Sequence, residues 1–131
     1  MKIASMALLL VLLASPGYAL SGRWITQSGN LEIEIAPCGD ALCGTAVKIL
    51  ANHSMSNPAM EAPEQPALGL KVLRDFVPDG ENLWYGQIYN RENGKTYRCR
   101  MTLLSPDQLE IRPYVGLSFF GKTQIWRRAF D

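Results

Sequence analysis

The sequence has almost no excess charge of either sign and only one histidine. Its 131 residues carry 13 Lys and Arg against 12 Asp and Glu, and the basic residues form no stripe. This composition does not predict binding to nucleic acid or stable insertion into a membrane. The single histidine, His53, has no nucleophile at a spacing typical of a catalytic pair. We therefore expect a binding protein without a cofactor, not an enzyme.

Long hydrophobic runs are confined to the first residues of the chain. Residues 3–14 are almost wholly apolar, and Gly17 and Ala19 place small residues at positions −3 and −1 of a cleavage site. This pattern is typical of a secretory signal peptide, and the run is too short for a comfortable membrane span. No stop-transfer pattern follows it, and no nearby cysteine predicts a lipid anchor. We expect residues 1–19 to be removed and residues 20–131 to form one small exported domain.

Cysteine is scarce, and two of the three cysteines lie close together. Cys38 and Cys43 flank a turn-rich link between two strand-like runs. Because an exported protein meets an oxidising compartment, this spacing favours a short disulfide across a hairpin. A metal pair is the alternative, but two thiolates without a third nearby ligand make a poor zinc site. Cys99 lies on the apolar face of a strand, and we expect it to be a buried thiol.

No stretch after the leader has the period of an amphipathic helix. Seven or eight short strands alternate with turn residues instead, most clearly in residues 83–104, where Tyr97 and Cys99 alternate with polar neighbours. Between its two strands, Asn93-Gly94 can adopt the positive φ of a tight hairpin turn. This organisation predicts an all-β fold, and a small antiparallel up-and-down barrel would leave no sheet edge exposed. The charged strand faces argue against a transmembrane barrel.

Residues 51–68 form an irregular segment with three prolines and no sustained period. A stretch of this length without regular structure is usually a binding loop, a lid or an Ω-type segment. It contains His53, Met55 and Met60, whose imidazole and thioether groups are ligands suited to Cu(I). Methionine also fills gaps in cores, so a copper site is the lesser alternative for this segment.

Several short motifs along the mature chain match known families in order. Gly22-Arg23-Trp24 near the start, with Arg127 or Arg128 near the end, resembles the lipocalin signature, in which a tryptophan closes the barrel beneath an arginine. The further matching pieces are the turn at residues 38–44, Asn57-Pro58, and residues 68–70, 84–90, 93–97 and 123–128. Together they resemble a bacterial exported family known as domain of unknown function 2147.

The resemblance implies a lipocalin-like barrel, a signal peptide and the periplasm of a Gram-negative bacterium, with no established activity. It also implies a structural signature that consists of Gly22, Trp24, Gly94, Trp126 and Arg127. The family usually has an acidic residue shortly before Asn57-Pro58 and a proline at position 91. This chain has serines and Arg91 there, so a role of that acidic residue is not expected here.

A small barrel either has its interior filled by side chains or holds one small ligand. Our first hypothesis is a small apolar or amphipathic ligand in or near the barrel, bound by the inward-facing residues Trp84, Ile88, Tyr97 and Met101, opposite Leu31, Ile33 and Val47. The alternative is a filled barrel that acts as a periplasmic interaction or structural factor. Such a factor would use residues 51–68 or Phe119-Phe120 as its contact surface. The sequence identifies no protein partner.

Overall fold

A computed structural model describes residues 19–114 and 123–130, which form eight antiparallel strands. The strands are β1 (Gly22–Ile25), β2 (Leu31–Cys38), β3 (Ala41–Ile49), β4 (Lys71–Pro78), β5 (Leu83–Asn90), β6 (Lys95–Ser105), β7 (Gln108–Pro113) and β8 (Gln124–Arg128). Each strand pairs with the next, and β8 pairs with β1, so the sheet closes. The predicted up-and-down barrel is confirmed.

Two parts of the chain that entered the predictions lie outside the described residues. They are most of the proposed signal peptide, residues 1–18, and the Phe119-Phe120 pair. Within the two described ranges, no helix is long and apolar enough to cross a membrane.

The centre of the barrel is filled by side chains from its own strands. Trp24, Trp84 and Trp126 are each at most 2% exposed, and Met101 and Ile111 are fully buried. A side chain without exposed surface has no water-sized space beside it. These residues alternate with outward-facing neighbours along their strands, as expected for a pleated strand with one face on the core. The result is a continuous apolar core along the barrel axis.

Val47 does not face the core, which corrects one predicted inward position. Glu32 pairs with Lys48, but the next residue of β2, Ile33, pairs with Ala46. Val47 is therefore the extra residue of a β-bulge, and the inward position passes to the buried Ala46. A prediction that assumes strict alternation of inward and outward residues cannot reveal this change, because a bulge shifts the alternation by one residue.

The end of the barrel where β1 begins is closed by the signature tryptophan. The Trp24 indole is fully buried and donates its Nε1–H to the Leu20 carbonyl at 3.0 Å. The residue that covers its ring is Arg128, and Arg127 is exposed, which corrects the choice of Arg127 in the signature. Neighbouring residues of a strand face opposite sides, so only one of the two arginines can reach Trp24. Gly22 leaves room for it, because a Cβ there would lie 2.9 Å from Arg128 Nη1.

Both predicted turns are present. Cys38 and Cys43 form the expected disulfide across the β2–β3 hairpin, with a Cα–Cα distance of 5.8 Å. The β5–β6 turn contains four residues, 91–94, and Gly94 has a positive φ of 74°, whereas Asn93 does not. A four-residue turn needs only one such residue, so the Asn-Gly pair does not adopt the two-residue hairpin geometry.

Candidate functional site

The strand order brings the longest described connection and the β5–β6 turn to the same end of the barrel. Because the chain crosses the barrel once per strand, the β1–β2, β3–β4 and β5–β6 connections share one end. We call this end the mouth, and the irregular segment 51–68 between β3 and β4 the mouth loop. The fold therefore places the mouth loop beside turn residues 91–94.

On one side, the mouth loop is attached to the β1–β2 turn. Asn30 is buried and donates its Nδ2–H to the His53 carbonyl at 3.2 Å. The His53 ring in turn donates Nε2–H to the Ser28 carbonyl at 2.7 Å. The loop also closes on itself, because the Ser54 amide donates to the Met60 carbonyl at 2.8 Å. These bonds give the loop a defined conformation despite its lack of strands.

On the other side, the mouth loop is held by side chains of the β5–β6 turn. The Glu92 carboxylate accepts hydrogen bonds from the hydroxyls of Ser54 and Ser56, the latter at 2.9 Å. Arg91 Nη2 donates to the Pro63 carbonyl at 3.0 Å. The side chains of the turn therefore hold the loop, and the turn backbone takes no part in these three contacts.

A pocket, which we call the mouth pocket, lies between the mouth loop and the barrel rim. Its lining comes from β2 and β4 with the residue before each, from the mouth loop, and from the end of β5 with its turn: Asn30, Leu31, Met55, Ser56, Pro63, Leu70, Val72, Tyr89, Asn90, Arg91 and Glu92. The cavity volume is about 20 Å³, which is room for about one ordered water. The enclosed part of the pocket therefore suits a small polar group, with apolar walls beside it.

Two buried donors beside this pocket have no hydrogen-bond partner. Asn90 is 4% exposed, and its Oδ1 accepts the Glu92 backbone N–H at 2.8 Å, which identifies the other atom as the NH₂ group. That Nδ2 and the neighbouring Arg91 Nε are two of four unpaired buried side-chain donors among the described residues. An unpaired buried donor costs about 1–3 kcal/mol. Native proteins rarely keep such atoms without a water or a ligand.

Burial also affects the charge of Arg91. Removal from water lowers the pKa of the guanidinium below its ordinary value, and the nearby Glu92 carboxylate raises it, with burial the larger effect. Glu92 therefore compensates the positive charge only in part. The mouth pocket combines an incompletely compensated cation, two unpaired donors and an apolar wall.

The predicted ligand-binding residues lie in the core and not around this pocket. Trp84 faces Met101, and Ile88 faces Tyr97, across the β5–β6 pair. All four are buried, and none of them lines the mouth pocket. Periodicity identified the inward faces of the two strands, but it could not show that the interior is packed there.

Sequence reasoning missed Asn90, Arg91 and Glu92 as site residues. In the sequence they form part of an ordinary turn between two strands. The available signal is the irregular segment 51–68, which the sequence predicts to be a binding loop, a lid or an Ω-type segment. Nothing in residue spacing shows which turn that segment contacts, because the contact joins residues about 30 to 40 positions apart.

The arrangement of the candidate copper ligands does not favour a metal site. His53 uses Nε2 to bind a backbone carbonyl, and Met55 packs against the core. Met60 is 57% exposed. No group of three or more His, Cys, Asp or Glu in residues 19–114 and 123–130 is placed to hold a metal ion.

Comparisons with known proteins agree with the fold. The model of a family described as "Uncharacterized protein conserved in bacteria (DUF2147)" matches residues 22–128, which confirms the predicted resemblance. A solved structure, protein HP1028 from Helicobacter pylori, described as belonging to the lipocalin family, has a TM-score of 0.65 and 23% identity over 86% of this chain and 84% of that chain. At this identity the similarity shows the fold alone. A search of the curated proteins found no match.

Proposed function

The chain belongs to this bacterial DUF2147 family, and we propose that it binds a small, partly apolar molecule in the mouth pocket and has no catalytic activity. The observation that supports the proposal best is the pocket itself, where apolar walls meet unpaired buried donors. Small-molecule sites are typically concave and mostly apolar, with a few convergent polar groups that orient the ligand.

The packing of the core supports a site at the mouth and not at the centre of the barrel. Met101 and Ile111 are fully buried and leave no water-sized space around themselves, so a ligand at the centre would have to displace packed side chains. Truncation of a large buried side chain typically lowers the free energy of unfolding by about 2–5 kcal/mol, which gives the scale of disturbing this core. At the mouth, Leu31, Leu70 and Val72 line a cavity of about 20 Å³ that is already present. Binding there does not require displacement of Met101 or Ile111 from the barrel centre.

We further propose that the protein works in the periplasm after removal of residues 1–19. The apolar run and the small residues at 17 and 19 support export. The disulfide between Cys38 and Cys43 supports an oxidising compartment, since such bonds persist outside the reducing cytosol.

Native mass spectrometry of mature protein isolated gently from the periplasm tests the proposed function. We expect a reproducible added mass that disappears on denaturation. A copper-sized increment that is lost in a His53→Ala variant would instead support the lesser alternative. A bare chain under every growth condition would contradict small-molecule binding and favour a filled barrel that acts through its surface.

A matched pair of substitutions locates the bound molecule. Leu70→Trp places a large ring in the wall of the mouth pocket, whereas Leu68→Trp adds the same ring at a position that is 60% exposed and outside the lining. We expect the first variant to lose the added mass and the second to keep it. Circular dichroism and thermal unfolding show that both variants are folded. If both variants kept the added mass equally, the ligand would bind outside the mouth pocket.

A further inference from the structure

We propose that the mouth pocket takes a small monocarboxylate, whose carboxylate accepts hydrogen bonds from Asn90 and Arg91 while its apolar part lies on the pocket wall. This inference rests on the proposed function and names the class of ligand. Nothing in the family description or in the similarity of folds specifies a ligand for these two residues.

The two unpaired groups are both donors, so the ligand must supply acceptors. Asn90 Nδ2 and Arg91 Nε belong to consecutive residues at the end of β5 and the start of its turn. The Asn90 amide cannot reverse its roles, since its Oδ1 already accepts the Glu92 N–H. A carboxylate has two acceptor oxygens and can serve an amide and a guanidinium together. A protonated amine has only donors and would leave both groups unpaired.

The charge of Arg91 favours an anion over a neutral acceptor. The guanidinium is partly removed from water, and Glu92 offsets the cost of its charge only in part. The Glu92 carboxylate is bound by the hydroxyls of Ser54 and Ser56, which direct its charge towards the mouth loop. A ligand carboxylate beside Arg91 would supply further opposite charge to this partly buried guanidinium.

The size of the pocket limits the ligand to a small head and a short body. The enclosed volume of about 20 Å³ admits a head group only when the surrounding side chains move apart. Each of the two donor atoms exposes less than 1 Å², so the side chains around them must shift before the head can reach them. Pro63 is held to Arg91 by a single hydrogen bond. A short chain would then contact Leu70 and Val72.

Two-dimensional NMR of the mature, disulfide-bonded protein tests this inference with three probes of equal length. Butyrate carries the carboxylate, butyramide replaces it with a neutral acceptor, and butylamine replaces it with a cation. We expect butyrate to shift the Asn90 side-chain NH₂ and the Arg91 Nε–H signals in a saturable manner. We also expect it to bind at least tenfold more tightly than the other two probes.

Two variants and one control connect the binding to these residues. Asn90→Asp keeps the acceptor for the Glu92 N–H and replaces the unpaired donor with oxygen, and Arg91→Gln removes the charge. Each should weaken butyrate binding at least tenfold. The control is Arg98→Gln, which removes the same charge from an exposed position of β6 outside the pocket lining, and it should change affinity less than twofold.

The remaining outcomes separate this inference from the proposed function. Equal binding of butyramide and butyrate at the mouth pocket would overturn the carboxylate assignment and leave small-molecule binding in place. Binding of inorganic phosphate without binding of butyrate would overturn it as well, in favour of another anion. If no probe shifts any signal and the periplasmic protein carries no added mass, both the inference and the proposed function are wrong.

Discussion

The guanidinium of Arg128 lies over the indole of Trp24, with its Cζ atom 4.2 Å from the ring centroid. The two residues also face each other across the β1–β8 pair that closes the barrel. Arg128 donates to the carbonyls of Ser21 at 3.1 Å and Pro106 at 2.8 Å. One side chain therefore joins the first strand, the last strand and the β6–β7 turn.

Arg128→Lys should lower the free energy of unfolding by about 1–2 kcal/mol. A lysine keeps the charge but loses the flat stacking surface and the three separate nitrogens, which donate to the carbonyls of Ala19, Ser21 and Pro106. Urea denaturation of the mature protein measures the effect. Arg127→Lys is the control, since Arg127 is exposed, and it should change stability by less than about 0.5 kcal/mol. Equal effects of the two substitutions would contradict the role assigned to Arg128.

Glu92→Ala should loosen the mouth loop without unfolding the barrel. Removal of the carboxylate takes away the acceptor that Ser54 and Ser56 share and leaves only the bond between their two hydroxyls, and each lost bond is worth about 0.5–1.5 kcal/mol. We expect amide hydrogen exchange at Ser54, whose N–H binds the Met60 carbonyl, to accelerate about three- to tenfold. Strand amides should keep their protection.

The control for this loop experiment is Glu81→Ala, which removes an exposed carboxylate from the β4–β5 turn at the opposite end of the barrel. It should leave exchange in the mouth loop unchanged. Unaltered exchange at Ser54 in the Glu92→Ala variant would show that the loop does not depend on this contact.

Cys99 should make stability decrease with rising pH in the alkaline range. Burial raises the pKa of its thiol from 9.0 to about 12, against smaller lowering effects of Arg112 and Arg100. Between these two pH values the unfolded chain loses this proton and the native protein keeps it, so the stabilisation present below pH 9 is progressively lost. From pH 9 to 10.5, wild type should lose about 1–2 kcal/mol more than Cys99→Ala.

Alkylation provides an independent test of the Cys99 environment. Iodoacetamide reacts with the thiolate, so the native protein should remain unlabelled at pH 8 while protein in urea is labelled once. Denaturation curves at several pH values, recorded for wild type and Cys99→Ala, complete the test. Rapid labelling of the native protein would contradict the burial of this thiol.

Reduction of the Cys38–Cys43 disulfide should destabilise the barrel by about 2 kcal/mol, since the bond closes a short loop in the unfolded chain. Its two cysteines are only five positions apart. Urea denaturation with and without dithiothreitol measures the difference, and a Cys38→Ala/Cys43→Ala variant should be insensitive to the reductant. Identical curves for oxidised and reduced wild type would show that the bond does not contribute to stability.

The sequence by itself determined the strands, the barrel class and the disulfide. Alternation of apolar and polar residues reflects the two faces of a strand, and this is a property of neighbours along the chain. The positive φ of a turn residue such as Gly94 is likewise a local property of the chain. The inward positions of Tyr97 and Cys99 could therefore be predicted correctly, as could the link between Cys38 and Cys43.

Only the tertiary structure decided the bulge at Val47, the choice of Arg128 over Arg127, and the mouth pocket. Each depends on the partner strand or loop that a residue meets, and residue spacing does not contain that information. Arg91 and Pro63 are 28 positions apart, and Trp24 and Arg128 belong to the first and last strands. Closure of the barrel brings such residues together, because every strand must hydrogen-bond to a neighbour on both sides.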